Sequence, residues 1–89
     1  MTIFIGNLSA QTTEKQLEEI FTPFGSVLSI DIPKEKYSRR AKGFAYVLMA
    51  NAGDGERAIE ELNNSSLQNR MIVVKDANPR KGTDLFDWK

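Results

Sequence analysis

The sequence predicts an α+β domain of order βαββαβ, a four-stranded antiparallel sheet with two helices on one face. Three observations lead there. Four short segments alternate apolar and other residues with the period of two that a strand imposes. Two segments space their apolar residues at the 3.6-residue period of an amphipathic helix. A length of 89 residues suits one core and one domain.

Taken in chain order, Thr2–Gly6 is the first strand, with Ile3 and Ile5 on one side and Phe4 alone on the other. Thr13-Glu14-Lys15-Gln16 has the pattern of a capping box. Leu17, Ile20, Phe21 and Phe24 follow at i, i+3, i+4 and i+7, which assigns both rings to the core. Pro23 and Gly25 close that helix. Val27–Ile32 is the second strand. Its inward set is Val27, Ile30 and Ile32, so an irregularity is needed between the first two, and Asp31 points outward. Residues 33–41 form a polar loop, and Gly43–Met49 is the third strand. Asn51 is placed to cap a second helix with Gly55, Ala58, Ile59 and Leu62 as its buried stripe. Gly53 and Gly55 weaken its first turn. Asn63-Asn64 ends it, because asparagine tolerates the left-handed conformation used there. Met71–Ala77 is the last strand, Ile72 and Val74 inward, Val73, Lys75 and Ala77 outward. This is the ferredoxin-like sandwich, and it leaves one sheet face open.

Composition narrows the chemistry. The chain has no cysteine and no histidine. A disulfide framework and a thiolate metal site are excluded, and the commonest general base and metal ligand are missing. No metal, no cofactor and no enzymatic activity are expected. No apolar run approaches the roughly 20 residues that span a bilayer, and Met1 leads into the first strand without a signal-peptide pattern. The expectation is a soluble, cytoplasmic, monomeric protein that does not engage membranes. Twelve bases balance twelve acids, but unevenly. Residues 14–22 and 54–62, both helical, together hold a net charge of −5, while 34–42 holds +4. The helices therefore repel a polyanion from the back, and the loop draws it toward the open face.

The segment Lys42-Gly43-Phe44-Ala45-Tyr46-Val47 inverts the usual strand pattern. By alternation Phe44 and Tyr46 share a face with Lys42, and the small apolar Ala45 and Val47 take the core side. If the first and third strands are neighbours, Phe4, Phe44 and Tyr46 make one three-ring platform. Exposed rings beside a cation suit the stacking of nucleic-acid bases.

At these residues the sequence resembles the RNA-recognition motif family. Ile3-Phe4-Ile5-Gly6-Asn7-Leu8 fits that family's six-residue signature completely. Lys42–Met49, KGFAYVLM, fits the eight-residue signature except at its last position, where Met49 replaces an aromatic. That position faces the core, so the change affects packing more than ligand contact. Within the family the resemblance is greatest to the short, single-domain bacterial type, whose last strand ends in an acid-Ala-x-Pro-Arg segment, here Asp76–Arg80. The resemblance covers residues 1–80 and leaves 81–89 as a tail. Phe86 and Trp88 of that tail either stay disordered or fold back onto the sheet.

The resemblance implies binding of single-stranded RNA, with single-stranded DNA as the related ligand. It implies that bases stack on Phe4 and on Phe44 or Tyr46, and that Lys42 meets a phosphate. Arg39 and Arg40 either clamp the strand across the loop or remain solvated. Asn7 either ties down the turn or touches a base. Lys75, Ala77 and Asn78 can offer groups to base edges, and Arg80 can add a phosphate contact. Asp31 departs from an ideal platform: it either accepts a hydrogen bond from a base amine or weakens binding by repelling phosphate. Neutralising about four phosphates would make log K fall with log salt at a slope near −3.

Two other classes compete. A protein-interaction module could use the same sheet face or the acidic helices, but it has less need of the rings together with Lys42. The same element order also resembles the acylphosphatase fold, whose phosphate loop after the first strand carries an arginine. Gly6-Asn7-Leu8-Ser9-Ala10 has none.

Overall fold

In the computed structural model, residues 1–34 and 43–77 are described. Strand β1 spans Thr2–Gly6, helix α1 Glu14–Phe21, β2 Val27–Asp31, β3 Ala45–Met49 and helix α2 Ala52–Leu62. A two-residue hairpin, β4 (Ser66–Leu67) and β5 (Arg70–Met71), precedes the last strand, β6 (Val73–Asp76). The main sheet runs β2-β3-β1-β6, and every neighbouring pair is antiparallel. The fold is the ferredoxin-like sandwich that the element order predicts.

The local reasons hold at the first helix and only in part at the second. Thr13 Oγ1 accepts the Gln16 N–H at 3.2 Å while Gln16 Oε1 accepts the Thr13 N–H at 2.9 Å, a reciprocal cap on α1. The helix stops at Phe21, and Thr22–Phe24 tighten into a 3₁₀ turn that opens with Pro23 near its start. Asn51 has the extended backbone of a cap for α2, but its side chain does not bond the helix N–H groups. Its amide donates to Asp54 Oδ2 at 3.3 Å instead. Asn64 ends the helix with φ 68°, the left-handed conformation expected there.

The core lies between the sheet and the helices. Ile3, Ile5, Leu17, Phe21, Met49 and Ile72 are all fully buried, and Phe24 packs against them half-buried. Met49, the departure from the eight-residue signature, is a core residue. The irregularity in the second strand is present as a register shift between Val27 and Ser29. It turns Leu28 out to solvent and lets Val27 and Ile30 both face inward despite their odd spacing.

The last strand requires a correction. Met71 does not belong to it. β1 offers partners only as far as Gly6, which pairs with Val73, and the chain then turns at Asn7. Met71 pairs with Ser66 in the hairpin instead. Gln68 and Asn69 link the hairpin strands with φ of 52° and 65°, the two consecutive left-handed residues of a type I′ turn. The buried Thr12 hydroxyl lies 2.6 Å from Gln68 Oε1 and donates to it, fastening the hairpin to the loop after β1.

Candidate nucleic-acid interface

The face of the sheet opposite the helices carries the rings. In the β1–β3 register Phe4 lies directly opposite Tyr46, so both side chains emerge on one side. Phe44 stands one step before β3. The three ring centroids lie 5.8 to 6.0 Å apart. Phe4 and Phe44 are offset-stacked at an interplanar angle of 26°, and Tyr46 meets both edge-on, at 62° and 79°. These are favoured aromatic geometries, and none of the three is buried. Packed against one another in this way, the rings hold each other in place while remaining partly open to solvent.

Two glycines shape this arrangement. Gly43 adopts φ 93°, a conformation open to few other residues, and its carbonyl accepts the Leu8 N–H at 2.8 Å. That bond ties the chain just before Phe44 to the end of β1. Gly6 is the floor under Phe4. A Cβ at Gly6 would stand 2.9 Å from Phe4 Cε2 and 3.1 Å from Cζ, so the ring lies over backbone that any other residue would obstruct.

Charge is graded across the platform. The registers align Lys75 with Phe4, Phe4 with Tyr46, and Tyr46 with Asp31. One row across four strands thus runs from a cation through two rings to a carboxylate. Lys75 Nζ sits 5.5 Å from the Phe4 ring centroid, a cation–π contact. Asp31 is exposed, on the side of the sheet expected for it.

Asn7 uses both ends of its amide within the protein. Its Nδ2 donates to the Met71 carbonyl at 2.7 Å, and its Oδ1 accepts from Arg70 Nη2 at 2.8 Å. Arg70 Nε also donates to the Asn7 carbonyl at 3.0 Å. Asn7 itself is left-handed, φ 60°, so it joins the turn after β1 to the hairpin. No sequence pattern singles out Arg70, because its partner lies 63 positions away. Arg39, Arg40, Lys42, Asn78, Arg80 and the tail with Phe86 and Trp88 lie outside the described residues. Among the described residues, no group of three or more acidic side chains is placed to hold a metal ion, and no helix is long and apolar enough to cross a membrane.

The family model of the RNA recognition motif matches residues 3–73 of the chain. This chain belongs to that family. It is 34% identical over 88 residues to "Putative RNA-binding protein RbpD" of Nostoc sp., covering 99% of this chain and 94% of that one. Among solved structures, the crystal structure of RNA-binding protein PG1 is 34% identical, with a TM-score of 0.85 over 91% of this chain and 98% of the other. A Sxl-lethal protein/RNA complex superposes with a TM-score of 0.78 at 28% identity, covering 83% of this chain and 46% of that one.

Proposed function

We propose that this RNA recognition motif binds single-stranded RNA on the open sheet face, with two bases lying on Phe4 and Tyr46 and Phe44 against a base or sugar between them. The observation that carries this reading is the triad of unburied rings within 6.0 Å of one another. Family membership, and relatives named for RNA binding, support it. Every base has a π-face, so such a platform supplies affinity without strong sequence choice. Lys75, already beside Phe4, offers its ammonium group to a base edge in this reading, while Arg40, Lys42 and Arg80 meet the phosphates. Asn7 contributes by holding the turn beneath the platform, through its bonds to Arg70 and Met71. The domain of this reading spans residues 1–80, acts as a monomer in the cytoplasm, needs no cofactor and catalyses no reaction.

An amide-shift titration with pooled short RNA tests it. Shifts should concentrate at Phe4, Phe44–Tyr46 and Lys75, and should vanish in Phe44→Ala. Shifts confined to the helices, or none at low salt, would overturn the reading in favour of protein recognition.

A further inference from the structure

The open face carries a carboxylate that a bare stacking platform does not need. Asp31 is exposed, lies directly opposite Tyr46, and shares its face of the sheet. Among the described residues nothing hydrogen-bonds to its carboxylate or pairs with its charge. A charge on an edge strand discourages unwanted pairing, but a lysine would serve that purpose without repelling phosphate. What distinguishes Asp31 is its place in the row Lys75, Phe4, Tyr46, Asp31. Cross-strand neighbours hold their Cβ atoms about 5 Å apart. A base is wider than the phenol ring beneath it, so one edge of a base on Tyr46 overhangs a neighbouring strand. On the β1 side that neighbour is Phe4; on the β2 side it is the Asp31 carboxylate.

We propose that Asp31 reads the Watson–Crick edge of the base stacked on Tyr46 and selects guanine there. The inference rests on the RNA-binding reading above and deepens it. An ionised carboxylate only accepts hydrogen bonds, through two oxygens. Guanine presents two adjacent donors, the ring N1–H and the exocyclic amine, spaced to meet both oxygens at once. Adenine and cytosine each place a ring-nitrogen acceptor beside their amine, which sets a lone pair against the second oxygen. Uracil has one N–H flanked by two carbonyls. Charge-assisted bidentate bonds are the strong ones, and they convert a repulsive acid into a selective one.

The test uses fluorescence anisotropy with three labelled oligomers: all uridine, uridine with one central guanosine, and the same with inosine. Inosine keeps N1–H and lacks the exocyclic amine. The protein should bind the guanosine oligomer about tenfold more tightly than either of the others. Asp31→Ala, a change at an exposed site, should bind all three alike. Equal affinities in the unaltered protein would overturn the proposal and leave RNA binding intact. Equal strengthening of all three by Asp31→Ala would do the same, because the carboxylate would then only repel phosphate. Failure of every oligomer to bind would overturn both this inference and the reading beneath it.

Discussion

Replacing Gly6 with alanine should weaken RNA binding while leaving the fold nearly as stable. Gly6 has no positive φ, so alanine meets no backbone strain, and it removes chain entropy from the unfolded state worth about 0.4–1 kcal/mol. The cost falls on Phe4. The new methyl would stand 2.9 Å from Cε2 and 3.1 Å from Cζ, against about 3.5–4.0 Å for a relaxed carbon contact. The ring must therefore swing by roughly 0.5–1 Å, away from its 6.0 Å stack on Phe44. A fully lost ring costs about 1–3 kcal/mol per stacked base, so a displaced one should cost about 1 kcal/mol, or roughly fivefold in Kd. Anisotropy titration with a short RNA measures the affinity, and thermal unfolding followed by circular dichroism measures the stability. Phe4→Ala sets the scale of complete loss. If Gly6→Ala binds like the unaltered protein while Phe4→Ala is weak, the exact position of the ring does not govern affinity, and the steric reasoning is refuted.

Other substitutions probe the remaining links. Asn7→Ala should lose about 2–3 kcal/mol of stability in urea unfolding, because it removes the bonds to Arg70 and Met71 and forces alanine into a left-handed conformation; Asn7→Gly should lose about 1 kcal/mol less. Gly53, where an added methyl would meet nothing within 4 Å, should accept alanine with a gain of about 0.5 kcal/mol, a Tm rise of about 2–4 °C and no change in RNA affinity. A salt titration of RNA binding should give a slope near −3 if about four phosphates are neutralised, and a flat response would exclude phosphate contact as a main source of affinity.

Much of the architecture was legible because it rests on periods of two and of 3.6. The inward parity of Ile3, Ile5, Ala45 and Val47 needs only strand alternation, and all four are fully buried. Even the bulge after Val27 could be read, since Val27 and Ile30 cannot share a face of a regular strand. The β4–β5 hairpin was not legible. Its turn, Gln68-Asn69, lacks the glycine that usually marks a type I′ turn. Gly55 reads in sequence as a weak point of α2. In the structure it is where the helix meets the Met1 side chain, and a Cβ there would collide with the Met1 sulfur. Asn51 reads as a capping side chain, yet Asp54 three residues on captures its amide.

At the platform, chain-local information was enough to tell which rings leave the core, because a side chain's face depends only on its neighbours along the strand. The contacts among Phe4, Phe44 and Tyr46, the lock of Arg70 on Asn7, and the place of Asp31 beside Tyr46 came from the assembled sheet alone. Each of those depends on strand order and register, which are set where distant segments pair, and no local pattern carries that information.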